Sequence, residues 1–141
     1  MNKKILNLSF LFLILGLVSG VFYREFTKVY AFTGYTTLSV VHTHLLILGT
    51  MFLLIISLAT KDTKVNISKP LAIYTLGLVI FTISMSINGV FDVILRRPYS
   101  NIYLVILSGA GHTLLGVGMV WMMYILKNRG TKCTDPKKWT N

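Results

Sequence analysis

The sequence predicts an all-α membrane protein: a four-transmembrane-helix, up-down-up-down bundle with both termini in the cytoplasm. Three observations carry this. The chain is 54% hydrophobic and only 13% charged, with a mean hydropathy of +0.70, a balance foreign to ordinary water-soluble domains. Four apolar stretches, at about 5–23, 38–59, 71–94 and 102–126, contain no Lys or Arg. Each is long enough to cross about 30 Å of hydrocarbon at about 1.5 Å per residue. All 14 Lys and Arg residues fall outside these stretches.

The net charge of +10 would suit a nucleic-acid ligand, but basic residues flank every span instead of lining one face. That is how positive-inside orientation distributes them. Lys3, Lys4, Lys61, Lys64, Lys69, Lys127, Arg129, Lys132, Lys137 and Lys138 fall on one side, against Arg24, Lys28, Arg96 and Arg97 on the other. The richer side is cytoplasmic by the rule, as expected for a multi-pass protein of a bacterial cytoplasmic membrane. The lipid bilayer is the first partner expected, and nucleic acid is not one. Residues 1–126 form one membrane domain; 127–141 form a basic tail suited to anionic headgroups.

In the first helix, Lys3-Lys4, an apolar run and Val18-Ser19-Gly20 imitate a signal peptide. A retained helix is expected, because cleavage would leave three spans and put the Lys-rich tail outside. Gly16, Gly20 and Arg24 form a stripe, and Phe22, Tyr23 and Phe26 flank Arg24-Glu25 as an interfacial belt. The second helix carries His42-Thr43-His44, and the fourth carries the one remaining histidine, His112. Ionisable groups at membrane depth are costly and mark functional sites, and histidine is the commonest metal ligand.

By helical rise, His42 and His44 lie about 6–9 Å below the outer boundary and His112 about 15 Å. Two positions along a helix amount to about 200° of rotation, so His42 and His44 cannot aim at one point. The His42 face carries Ser39 and Gly49; the His44 face carries Val40, Leu48 and Met51. Which of them faces the bundle centre is open at this stage.

On the third helix Met85, Asn88, Gly89, Asp92 and Arg96 line up, and an ion pair between Asp92 and Arg96 is expected. Asn88 is suited to orienting a ligand histidine or to an interhelical hydrogen bond. On the fourth helix Ser108, Gly109, His112, Gly116 and Met119 share a face. Small residues around the histidine leave room for a flat macrocycle, or for a neighbouring helix. Each helix thus has one small-or-polar face, expected to turn inward, while Trp121 and Tyr124 anchor the inner interface. The single Cys133 sits in the tail, so no intramolecular disulfide can form. There is no phosphate-binding loop, cysteine pair or carboxylate pair, and no catalytic residue is singled out.

The segment Val41-His42-Thr43-His44-Leu45-Leu46-Ile47-Leu48-Gly49 resembles the helix of haem–copper oxidase catalytic subunits whose two histidines bind different haems. Over its length the chain is also similar to a DUF2871-like family of small bacterial four-span proteins of unknown function. Gly20–Phe26, the His-x-His segment and Gly111–Gly116 carry that likeness. The oxidase centre needs a copper held by three further histidines, and this chain has three in all, so it cannot build that centre. The resemblance implies His44 as a low-spin haem ligand opposite His112, forming a six-coordinate haem b. His42 is a further candidate, Asn88 a supporting group, and Arg24, Arg96 or Arg97 partners for the propionates.

Copper or zinc at His42, His44 and His112 is a variant of this reading. The function expected is electron transfer, haem handling or sensing, with a redox partner or further copies of the chain. Two alternatives stand beside it. One is a cofactor-free accessory subunit whose histidines make interhelical hydrogen bonds of about 1 kcal/mol. The other is a small cation or proton transporter that uses the outer-half His, Asn and Asp residues.

Overall fold

The computed structural model describes residues 3–61, 66–99 and 101–130. Its four long helices are α1 (Lys3–Val29), α2 (Leu38–Ala59), α3 (Ser68–Leu95) and α4 (Ile102–Gly130), with no strand among the described residues. All four are long and apolar enough to cross a membrane. The predicted cores of the helices are right, but α1 runs about six residues past its apolar stretch. Hydropathy marks only the part suited to hydrocarbon. Beyond it the helix continues on polar support, including the Lys28 Nζ to Glu25 Oε1 ion pair at 3.3 Å. The tail predicted from 127 on is helical through Gly130; its remainder, with Cys133, lies outside the described residues.

The end of α1 is built as a Schellman motif. Phe32 N–H bonds Thr27 O at 2.9 Å, Ala31 N–H bonds Lys28 O at 3.0 Å, and Ala31 sits at φ 46°. Glycine usually takes that left-handed position. α3 ends similarly, with Arg96 at φ 52°.

α2 is not a uniform α-helix. Leu45–Phe52, directly after the histidine pair, is π-helical. A wide turn loosens the carbonyl ladder, and neighbouring side chains take up the carbonyls it presents. Tyr74 OH of α3 donates to Leu48 O at 2.8 Å, and Ser9 Oγ of α1 donates to Thr50 O at 2.9 Å. Thr50 Oγ1 itself reaches back to Leu45 O. The segment is therefore held from both sides. Runs of this length are rare in proteins, and short π-bulges cluster at functional sites.

Contacts pair early α1 with late α2, early α2 with late α3, and early α3 with late α4. Phe12 meets Gly49, while Thr36 and Thr37 donate to Gly89 O and Met85 O at 2.8 and 3.0 Å. The α3–α4 seam is closest. A Cβ at Gly77, Gly111 or Gly118 would run into backbone of the opposite helix, so only glycine permits this approach. The buried core includes Ile5, Phe12, Leu45, Leu53, Tyr74, Leu78, Leu115 and Met122.

That seam corrects one expectation. The predicted inward face of α4 is not the one that packs: His112 is exposed, and a Cβ at Gly109 or Gly116 would meet nothing within 4 Å. Gly111, Leu115, Gly118 and Met122 turn inward instead. The reason is close packing. Where two backbones can touch, that face gains more dispersion contacts than one bearing a histidine.

Candidate cofactor site

The two histidines of α2 diverge as their spacing requires. His42 turns to α1, where its ring lies parallel to Tyr23 at 6.4 Å and beside Gly20. Its Nδ1 is buried and has no hydrogen-bond partner among the described residues. His44 turns to α3, and its ring meets Phe81 edge-on at 5.1 Å. The central question left by the sequence thus has an answer: His44 faces α3, and His42 faces α1. Gly49 does share the His42 side, against Phe12. Val40 and Leu48 stay with His44, while Met51 turns outward at 55% exposure, since π-helical winding breaks the α-helical phase.

His44 is chemically the best defined of the three. Its Nδ1 lies 2.9 Å from Val40 O. A carbonyl only accepts, so Nδ1 carries the proton and, in the neutral ring, Nε2 keeps its lone pair. This is the arrangement in which a backbone carbonyl presets a histidine for metal binding through the other nitrogen. Beside the ring, Thr43, Ile47 and Leu48 line a cavity of about 200 Å³.

His112 meets the same Phe81 ring, also edge-on, at 4.9 Å. Phe81 of α3 therefore joins the predicted pair, one histidine from α2 and one from α4. Sequence reasoning missed Phe81. The signal was available, because the stripe Met85, Asn88, Asp92 extended back four residues reaches it.

The remaining candidates separate. Asn88 has its Oδ1 buried without a hydrogen-bond partner among the described residues. Arg24 is 74% exposed and reaches Glu25 at 3.8 Å. Arg96 donates to Tyr30 O at 3.0 Å, the open carbonyl end of α1. The expected Asp92–Arg96 ion pair does not form. Asp92 accepts instead from Tyr99 N–H at 2.7 Å and Thr37 N–H at 3.4 Å. Those amides stand where a loop and a helix start lack partners, and they satisfy a buried carboxylate better than an exposed guanidinium would. No group of three His, Cys, Asp or Glu side chains able to hold a metal ion forms among the described residues. The three histidines are therefore not brought into one metal site.

Four helices long and apolar enough to cross a membrane, with no strand among the described residues, are consistent with a multi-pass, all-helical membrane protein. More particularly, the chain belongs to the family described as "Protein of unknown function (DUF2871)", whose family model matches residues 1–129. No curated protein and no solved structure matches it.

Proposed function

We propose that the chain is a multi-pass protein of the bacterial cytoplasmic membrane that binds b-type haem through His44 and His112. In this reading the four helices form an up-down-up-down bundle with both termini in the cytoplasm, and the site lies in the outer half of the bilayer. The observation that carries the proposal is the Nδ1–H bond from His44 to Val40 O, which leaves Nε2 as a ligand nitrogen.

One further observation leaves room for a flat macrocycle, the free space at Gly109 and Gly116 on either side of His112. The cavity beside His44, about 200 Å³ and lined by α2 alone, is below the range of small-molecule sites and would have to widen. Phe81 touches both rings, and a group reaching both histidines would displace it. Haem held there would supply one-electron redox chemistry or gas binding, for electron transfer, haem handling or sensing. The chain's own part is to fix the His44 tautomer through Val40 and to set the apolar side chains of Ile47 and Leu48 beside the ring. Arg24 pairs with Glu25, and Arg96 stands about 22 Å along α3 from Phe81 at the helical rise per residue, so neither is assigned to the propionates.

One observation favours a second reading, an accessory subunit without a cofactor. His112 lies on the open face of α4 beside two glycines with empty space over them, and a helix of another subunit could cover it. Visible spectra of protein expressed in haem-replete cells, oxidised and dithionite-reduced, with a pyridine haemochrome assay, separate the two. Near-stoichiometric low-spin haem supports the first. A colourless preparation that takes up no added haemin rejects it in favour of the second.

A further inference from the structure

A second cavity, of about 380 Å³, lies where the α1–α2 and α3–α4 connections meet, with Phe32, Tyr35, Asp92, Arg96, Arg97 and Tyr99 in its walls. Its volume is in the range of small-molecule sites. Two guanidiniums and one carboxylate face it, and the carboxylate is committed. Both oxygens of Asp92 accept backbone N–H groups, from Tyr99 and Thr37, at the start of α2 where the helix end is itself partly positive. Neither cation has an ion pair among the described residues. Arg96 gives an N–H to Tyr30 O, an uncharged acceptor, and keeps its other donors. Arg97 has no ion-pair or hydrogen-bond partner among the described residues.

Arg96 takes the left-handed position that closes α3, φ 52°, which turns the chain toward the cavity's Pro98 and Tyr99. Membrane anchoring or complementing the end of α3 would account for two exposed arginines. Neither accounts for a walled cavity in which aromatic rings stand beside them. With two guanidiniums against one carboxylate in its walls, the cavity is one negative charge short.

We propose that this cavity binds an oxyanion carried on an apolar body. The phosphate or carboxylate sits at Arg97 and Arg96, and the body lies against Phe32, Tyr35 and Tyr99. Guanidinium suits both anions because its fork bonds them through two parallel N–H groups. The anion can come from an anionic phospholipid in the bilayer or from a small soluble molecule. The site is independent of the histidines.

The test uses the full chain in phosphatidylcholine nanodiscs. Phosphatidylglycerol is titrated in and followed by native mass spectrometry. Inorganic phosphate and benzoate are titrated separately and followed by thermal unfolding. At least one anion should bind saturably, with Arg97→Gln weakening it about tenfold, the loss of one charge-assisted contact. Arg97→Lys should weaken it less, Tyr35→Ala should weaken only ligands with an apolar body, and Lys127→Gln should change nothing. Phosphatidylglycerol binding alone identifies a lipid site, and benzoate or phosphate binding a soluble ligand. No saturable binding by any of the three, or equal binding by wild type and Arg97→Gln, overturns the proposal.

Discussion

His42 and His44 are the same residue type two positions apart on one helix, and their chemical situations are opposite. His44 has its Nδ1–H bonded to Val40 O and its ring edge-on to Phe81. His42 has Nδ1 buried with nothing bonded to it among the described residues, and its ring faces Tyr23. An unmade bond of that kind costs about 1–3 kcal/mol. The difference teaches that the neighbouring helix, not the motif, sets the chemistry of each ring. α3 supplies a ring that His44 meets edge-on, while α1 supplies Tyr23 and close contact with Gly20. One ring has its Nδ1 bonded to a backbone carbonyl, and the other is a packed side chain with an unbonded polar atom.

The largest expected effect breaks that comparison outright if the roles are wrong. In haem-replete expression, His44→Ala and His112→Ala should each abolish the reduced low-spin absorption, while His42→Ala should retain it. A spectrum lost with His42→Ala and kept with His44→Ala would reverse the assignment.

Next in size is a contrast between glycines on the two faces of α4. Gly111→Leu drives a side chain into the Phe81 backbone and should cost about 3 kcal/mol, the upper part of the overpacking range. Gly109→Leu enters open space and should stay within about 0.5 kcal/mol, as substitutions away from packed features do. Thermal or denaturant unfolding in detergent measures both. Equal losses would mean that the open face of α4 is covered in the assembled protein.

A smaller effect sharpens the histidine comparison itself. His42→Phe removes the unpaired nitrogen and should be neutral or stabilising by about 1 kcal/mol, whereas His44→Phe forfeits a made bond and should destabilise by about the same amount. The same unfolding measurement on cofactor-free protein reads the sign of each. Smallest is Ser9→Ala, which removes the bond to Thr50 O on the π-helical segment. A membrane interhelical bond averages about 0.6 kcal/mol, and a loss well beyond 1.5 kcal/mol would show that the π segment depends on that hydroxyl.

Much of the fold was legible because its signals are local. Apolar runs free of Lys and Arg mark helices that can span a membrane, and the divergence of His42 and His44 follows from helical rotation alone. The Gly16 and Gly20 stripe does meet α2, at Leu46 and His42. The inward face of α4 was not legible. Both of its faces carry glycines, and only contact with Gly77 of α3 distinguishes them. Asp92 was misread for a related reason. Its partners, the amides of Thr37 and Tyr99, are backbone groups, and no side-chain pattern announces them. The π-helical stretch is equally silent in sequence, because the hydroxyls that meet its carbonyls, those of Ser9 and Tyr74, stand on two other helices.

By itself, the sequence determined that this protein has four helices apolar enough for a membrane, and that its histidine pair must point two ways. Hydrophobic length and helical period are properties of single segments, so one segment suffices to read them. Only the tertiary structure decided that His44 and His112 share Phe81, that Asp92 is occupied by amides, and that Arg96 and Arg97 outnumber Asp92 at one cavity. Those facts depend on which helix faces which. Close packing across the Gly77, Gly111 and Gly118 seam settles that, and it is a property of surfaces in contact that no single segment carries.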